Sequence, residues 1–209
     1  LGYIVRPDYR LVRRRVVNRL KERLCQFEEH FVQESGGVVR LKFSHPALAR
    51  LLAAWNSYMA HLDKADTFRL KAALSGRFKW LAFFYRLSGT HLTMKDEVPR
   101  KVCRLKEQYL RFEGKAPKDF LFFQVGRYYE FFDRQAKRAI ELLALQPIAP
   151  RPGFTKRCGF RTELKEKYIE ELFPRKLPIW VVDEQGQGPC SLKRRRIVEA
   201  WLPAGDLPG

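Results

Sequence analysis

The most informative segment of the chain is residues 120–132, with the sequence FLFFQVGRYYEFF. Residues 120–125 form an apolar run of strand length after a turn, which predicts a buried β-strand. Gly126 stands where this strand must turn, because glycine adopts a positive φ without steric cost. Tyr128 and Glu130 are two residues apart, so an extended chain places both side chains on one face.

Two interpretations of this segment stay open on the residues alone. An exposed aromatic ring beside a carboxylate suits a step between stacked bases, because the ring can stack while the carboxylate accepts a hydrogen bond from a base N–H. The base-contacting residues are then Tyr128 and Glu130, with Gly126 and Arg127 in the turn before them. In the other interpretation the segment is an ordinary core strand whose Glu130 faces solvent.

The sequence around this segment predicts an α+β domain over residues 96–209. Apolar periodicity indicates helices at 99–112, 131–145 and 163–173, and buried strands at 178–182 and 195–202. Residues 146–154 contain three Pro and one Gly, which is typical of a loop. This order favours a small mixed sheet flanked by helices.

Residues 1–90 are predicted to form a separate, all-α helical segment. One helical stripe of apolar residues runs from Val16 to Phe31, and a second runs from Leu48 to Leu62. A third helix is expected from Asp66 to about Leu74, with Asp66 as its N-cap.

The chain is strongly basic, with 41 Lys and Arg against 23 Asp and Glu in 209 residues and a formal net charge of +18. Self-repulsion of this size favours a polyanionic partner, so we expect nucleic acid and not a membrane. No apolar run approaches the ~18–20 residues of a spanning helix.

Four scattered cysteines without a Cys-x-x-Cys pair predict thiols rather than disulfides or a zinc site, and a cytoplasmic location.

The positive charge is concentrated near the N-terminus. Residues 1–95 hold 18 Lys and Arg against 7 Asp and Glu. Arginine binds phosphate oxygens through two parallel hydrogen bonds, and a helix presents such side chains in a row along a nucleic-acid backbone. The alternative is a solvated helix face. The candidate backbone-binding residues are Arg13, Arg14, Arg15, Arg19 and Lys21.

A family resemblance covers residues 98–205, which look like the N-terminal, mismatch-recognition domain of MutS proteins. The matching positions are Phe122, Gly126, Tyr128, Tyr129, Glu130, Phe132, Asp133, Ala136, Lys137, Ala139, Gly159, Glu184, Gln185 and 195–198. The resemblance implies that Tyr128 inserts beside a mispaired base and that Glu130 forms a hydrogen bond with it. The family usually has Phe where this chain has Tyr128. No Gly-x-x-x-x-Gly-Lys-[Ser/Thr] loop is present, so this chain lacks the ATPase motif of full MutS proteins.

A second resemblance covers residues 1–85, which look like the C-terminal thumb region of bacterial reverse transcriptases, those of diversity-generating retroelements in particular. The matching positions are residues 1–4, 13–18, 55–58, His61, Ala65, Asp66, Arg69 and Leu70. The resemblance implies a catalytic reverse transcriptase domain in the same polypeptide, before Leu1. No Tyr-x-Asp-Asp motif occurs in the chain, so we expect no polymerase activity here. A basic three-helix bundle is the alternative.

The sequence therefore predicts a nucleic-acid-binding module without a catalytic site, cofactor or metal. Its expected partners are mismatched DNA or an RNA–DNA hybrid, together with the attached reverse transcriptase domain. The alternative function is a structural domain that docks protein or RNA in a retroelement reverse transcriptase complex, with the Tyr128 ring buried.

Overall fold

A computed structural model describes residues 2–88, 91–94, 102–115, 117–187 and 192–205 of the chain. The chain divides into two compact units. The first unit comprises Leu1–Glu34, Lys42–Asp96 and Gly205–Gly209, and the second comprises Ser35–Leu41 and Glu97–Ala204. The second unit thus includes a short segment, Ser35–Leu41, that the sequence pattern assigned to the first.

The N-terminal part of the chain contains both helices and strands. Its strands are β1 (Tyr3–Val5), β2 (Arg10–Val12), β3 (Val32–Ser35), β4 (Val38–Lys42), β5 (Tyr85–Ser88) and β6 (His91–Met94). Its helices are α1 (Arg14–Phe31), α2 (His45–Leu62), α3 (Phe68–Arg77) and α4 (Leu81–Phe84). The prediction of an all-α segment is therefore wrong, because strands of three to five residues are too short to show a clear alternation.

A two-residue turn joins β3 and β4. Gly36 and Gly37 have φ angles of 57° and 80°. Two consecutive positive φ angles are typical of the two-residue turns that join antiparallel strands, and a Gly-Gly pair is among the sequences that favour them.

The apolar stripes of α1 and α2 pack into the core of the first unit, as their periodicity predicts. Leu20, Leu24 and Phe31 of α1 are buried, as are Leu48 and Trp55 of α2. Fully burying each such side chain stabilises the fold by about 1.5–3 kcal/mol.

The second unit contains a mixed sheet flanked by helices, which confirms the predicted α+β class. The elements are α5 (Leu105–Glu113), β7 (Phe120–Val125), β8 (Tyr128–Phe132), α6 (Asp133–Leu143), β9 (Arg157–Arg161), α7 (Lys165–Leu172), β10 (Ile179–Gln187) and β11 (Lys193–Pro203). The strand order is β3-β4-β11-β10-β7-β8-β9, with β10 parallel to β7 and antiparallel to β11. Strands β8 and β9 were not predicted from periodicity, and helix α6 begins at Asp133 rather than at residue 131.

The central strands β7 and β8 are apolar on both faces because helices or loops cover both. On one face, Phe122 and Phe131 pack edge to face and belong to the core cluster that includes residues of α6 and α7. On the other face, Tyr109 of α5 packs against Phe132 and Phe154. This two-sided burial explains why residues 120–123 are all apolar.

Among the cysteines that the structure describes, Cys25 and Cys158 are free thiols. Burial raises the pKa of the Cys158 thiol to about 12, so it is an unreactive core group. Cys103 is disulfide-bonded, so the expectation that all four cysteines are thiols is wrong. Sequence spacing cannot show which cysteines the fold brings together.

Within the described residues, no helix is both long and apolar enough to cross a membrane. The same residues contain no cluster of three or more His, Cys, Asp or Glu side chains that could hold a metal ion.

The close approach of β8 and β9 at Gly159 gives a test of the fold. A Cβ atom at this position would lie 2.5 Å from the carbonyl oxygen of Tyr129, so Gly159→Ala must push the two strands apart. We expect the variant to lose about 1–3 kcal/mol of unfolding free energy in urea titrations. Gly76→Ala is the control, because a Cβ there meets no atom within 4 Å. Equal stability of the two variants would contradict the described strand pairing.

Candidate nucleic-acid interface

The tip of the β7–β8 hairpin displays an exposed aromatic ring. Val125 pairs with Tyr128, so the strands are joined by a two-residue turn, Gly126-Arg127. Gly126 has a φ angle of 62°, a conformation that favours glycine. Tyr128 is 43% exposed, whereas the four following residues of β8 are all buried. The strand thus presents a single side chain to solvent at its first position.

Three hydrogen bonds hold the turn in place. The Gly126 N–H donates to Glu184 Oε1 at 3.0 Å, and Gln124 Nε2 donates to the Gly126 carbonyl at 2.9 Å. The Thr162 N–H donates to the Arg127 carbonyl at 3.0 Å. These partners come from both sides of the hairpin, so the Tyr128 ring projects from a fixed support.

A buried ion pair lies behind the turn. Arg195 of β11 is only 2% exposed and donates to Glu184 Oε1 at 2.6 Å. The same guanidinium donates to the Gln124 carbonyl at 2.7 Å and to Gln108 Oε1 at 3.1 Å, and lies over the ring of Phe123. Arg195 therefore links β7, β10, β11 and α5 beneath the hairpin tip.

The Glu184 carboxylate stays charged in this environment. Burial by itself would raise the pKa of Glu184, but the Lys193 ammonium at 2.7 Å, the Gly126 N–H and the charge of Arg195 outweigh it and lower the pKa. An ionised carboxylate accepts stronger hydrogen bonds than a neutral group does. The charge on Glu184 therefore strengthens its bond to the Gly126 N–H.

Glu130 lies on the same face of β8 as Tyr128, but it is buried. Only 2% of Glu130 is exposed, and its two oxygens accept hydrogen bonds from Arg151 Nε and Nη2, each at 2.7 Å. Arg157 Nη1 lies 3.5 Å from the same carboxylate. The expectation of an exposed aromatic–carboxylate pair is therefore wrong at Glu130, and so is the alternative in which Glu130 faces solvent.

The loop at 146–154 explains this burial. Phe154 stacks on Phe132 with ring centroids 3.9 Å apart, while Arg151 pairs with Glu130. Asp133 anchors the following residues by accepting hydrogen bonds from the N–H and hydroxyl of Thr155. The loop thus closes over the face of β8 that carries Glu130. The hydrogen bond to Glu130 also raises the pKa of Arg151, whose side chain is 36% exposed.

Two exposed arginines flank the Tyr128 ring. Arg127 lies in the turn, and Arg161 of β9 is the cross-strand partner of Tyr128. Within the described part of the chain, neither guanidinium has an ion-pair partner. Arg161 is not among the site residues that the sequence predicts, because only the pairing of β9 with β8 places it beside Tyr128.

The candidate backbone-binding residues of the first unit lie at the start of α1. Arg14, Arg15, Arg19 and Lys21 are exposed on the helix, and no ion pair involves them among the described residues. Arg13 precedes the helix as its extended N-cap residue, and its Nε donates to the Tyr3 carbonyl at 3.2 Å. Their role in nucleic-acid binding stays a prediction.

Comparison with known families gives a match in the second half of the chain. The family model described as MutS domain I matches residues 95–204, slightly more than half of the sequence. The match includes the Tyr128 hairpin and the Arg195–Glu184 pair, and it leaves residues 1–94 outside.

Several curated proteins are similar over the same region. The DNA mismatch repair protein MutS of Bacillus licheniformis is 29% identical over 109 residues, which are 49% of this chain and 12% of that protein. The protein of the same name from Myxococcus xanthus is 30% identical over 104 residues, or 47% of this chain and 12% of that protein. This chain therefore spans about an eighth of the length of the curated relatives it matches.

The contribution of the Glu184 charge to stability can be tested by varying the pH. A lowered pKa in the folded state means that ionised Glu184 stabilises the fold above its ordinary pKa of 4.5, and that this contribution is lost as the pH falls through the lowered value. We expect Glu184→Gln to cost about 1.5–3 kcal/mol of unfolding free energy at pH 7. The difference from the wild type should shrink as the pH falls below 4.5.

Urea unfolding followed by tryptophan fluorescence at several pH values measures this effect. Glu163→Gln, at an exposed site in the same unit, is the matched control and should leave the midpoint unchanged. Amide exchange at Gly126 should also accelerate in Glu184→Gln. A pH-independent loss of stability would contradict the role given to the Glu184 charge.

Proposed function

The chain belongs to the MutS domain I family, and from that premise we propose that its second unit binds DNA and recognises mispaired bases through the tip of the β7–β8 hairpin. The observation that carries the proposal is the exposed Tyr128 ring on a rigid two-residue turn. An aromatic ring placed in this way can enter a base step that a mismatch has weakened, because unstacking a mispaired base costs less than unstacking a paired one.

The ion pair between Glu130 and Arg151 limits the hydrogen bonds that the carboxylate can accept from DNA. Glu130 can accept a hydrogen bond from a base only after Arg151 moves away, because the carboxylate is 2% exposed and the Arg151 guanidinium covers both of its oxygens. The partial exposure of Arg151 gives its guanidinium a route to solvent or to a phosphate. We propose that DNA binding moves Arg151 from Glu130 to the DNA backbone, with Arg157 left to balance the Glu130 charge.

Arg127 and Arg161 are proposed to hold the DNA backbone on either side of Tyr128. Both side chains are exposed, and both lie beside the ring in the turn and on the neighbouring strand. Contacts to phosphates fix the position of a protein on a duplex without reading its sequence. In this arrangement the arginines bind any duplex, and the Tyr128 ring discriminates between mismatched and matched duplexes.

For the first unit we propose that the exposed cations of α1, Arg14, Arg15, Arg19 and Lys21, contact a nucleic-acid backbone. The pattern in residues 1–85 supports a role beside a reverse transcriptase, in which the duplex is an RNA–DNA hybrid. The docking alternative, in which the Tyr128 ring is buried, has less support because the ring is 43% exposed.

The role of Tyr128 is tested by comparing a duplex that holds one mismatch with a matched duplex. We expect Tyr128→Ala to weaken mismatch binding by about 5- to 150-fold, the equivalent of ~1–3 kcal/mol for one stacked ring, and to leave matched binding nearly unchanged. Tyr128→Phe should keep the discrimination, since it keeps the stacking face. Fluorescence anisotropy with the full chain measures both affinities.

Tyr9→Ala is the matched control, because Tyr9 is similarly exposed, at 47%, in the other unit. Equal affinities of the wild-type chain for the two duplexes, or equal losses in Tyr9→Ala and Tyr128→Ala, would overturn the proposal.

The two flanking arginines should act without regard to mismatches. We expect the double variant Arg127→Gln, Arg161→Gln to bind matched and mismatched duplexes more weakly by the same factor. Because each lost phosphate contact changes the slope of log K against log salt by about 0.9, the slope should become shallower by about 1.8. Affinities measured at four salt concentrations give this slope. A selective loss of mismatch binding would show that these residues read the bases instead.

A further inference from the structure

A groove with a volume of about 570 Å³ lies between α1 and α2 in the first unit. One wall is a single face of α1, where Arg23, Gln26, Phe27 and His30 follow at spacings of three and four residues. The facing helix contributes Arg50 and several alanines. The groove exists because these alanines are small, so α2 leaves space where larger side chains would fill it.

The groove is strongly cationic. Arg23 and Arg50 are exposed, and neither forms an ion pair or hydrogen bond with any described residue. No acidic side chain lines the groove, and α2 contains no Asp or Glu. On α1, Glu28 is already paired with Arg77 at 3.0 Å. Two uncompensated guanidiniums in one recess favour an anion, and phosphate above all.

An aromatic ring forms part of the same wall. Phe27 is half-buried and stacks on the buried Phe31 ring, with centroids 5.9 Å apart and planes within 5°. His30, which lines the same wall, packs edge-on against Phe31. A ring held in this way is a surface on which a nucleobase can stack at little entropic cost.

A row of arginines leads along α1 toward this groove. Arg15, Arg19 and Arg23 follow at four-residue spacing, which places them one turn apart along one side of the helix. None has a Glu or Asp four residues away toward the C-terminus. A phosphate backbone bound at Arg15 and Arg19 would therefore meet Arg23, which lines the groove.

We propose that the α1–α2 groove is a binding site for single-stranded nucleic acid. It takes a nucleotide unit whose phosphates bind Arg23 and Arg50 and whose base lies against Phe27. Its volume is in the range of pockets that enclose small ligands and is too small to admit a duplex. The site needs neither Tyr128 nor a mismatch, so it goes beyond the function proposed for the second unit.

The experiment measures binding of the full chain to fluorescent ten-nucleotide oligothymidylate and oligouridylate. We expect the double variant Arg23→Gln, Arg50→Gln to lose affinity about tenfold or more. The slope of log K against log salt should become shallower by about 1.4, since each single-strand phosphate contact contributes about 0.7. Arg69→Gln, at an exposed site on α3, is the control for general loss of charge.

Two further variants separate the groove from a general effect on the fold. Ala53→Leu fills the groove from α2 and should weaken binding, whereas Ala49→Leu, exposed on the same helix but outside the groove, should not. Phe27→Leu should weaken binding about fivefold or more with an unchanged salt slope, because it removes stacking and no charge. Thymidine monophosphate serves as a competitor. It would displace the oligonucleotide from a site that takes a free nucleotide, and it would not displace it from a site that binds a strand.

The outcomes are separable from those of the mismatch proposal. Tyr128→Ala should leave single-strand binding unchanged. Failure of the wild-type chain to bind either oligonucleotide would overturn the groove proposal. An equal loss of affinity in Arg69→Gln and in the double variant would also overturn it. So would an equal loss of affinity in Ala49→Leu and in Ala53→Leu. A loss in the double variant without a change in salt slope would also overturn it, because the two arginines would then act only through the fold.

Discussion

The ion pair between Arg195 and Glu184 is the interaction on which the hairpin tip depends. It is almost fully enclosed, and its members bind the backbone where β7 enters the turn: Arg195 at the Gln124 carbonyl and Glu184 at the Gly126 N–H. A buried pair of charges is costly unless its hydrogen bonds are satisfied, and here every partner is present. The geometry that satisfies the pair also fixes the direction of the Tyr128 ring.

The loop at 146–154 sets the second constraint, because it covers the face of β8 beside the ring. With Arg151 on Glu130 and Phe154 on Phe132, the free protein presents an aromatic ring and guanidiniums, and the carboxylate is hidden. A surface of this composition suits a polyanion. The carboxylate becomes available for a base only in a complex that offers Arg151 another partner, and this couples backbone binding to base contact.

The sequence was most informative where one periodicity persists over many residues. The stripes of α1 and α2 correspond to the structure. The short apolar run at 120–125 and the family pattern around Tyr128 also correspond to it, although neither is a periodicity. It was least informative for strands of three to five residues, and for β8, whose burial on both faces removes alternation. The burial of Glu130 depends on Arg151, twenty-one residues away, and local spacing carries no information about such a contact. Arg161 and Arg195 likewise gain their roles only through strand pairing.

Cross-linking from position 128 tests the central claim most directly. With p-benzoylphenylalanine installed in place of Tyr128 in the full chain, irradiation on a duplex with one mismatch should attach the protein to a nucleotide at or next to the mispaired base. A matched duplex should give weak cross-links spread along its length, as should the same group installed in place of Tyr9. The account would be contradicted if cross-links from position 128 showed no preference for the mispaired base. It would also be contradicted if they reached only other parts of the protein.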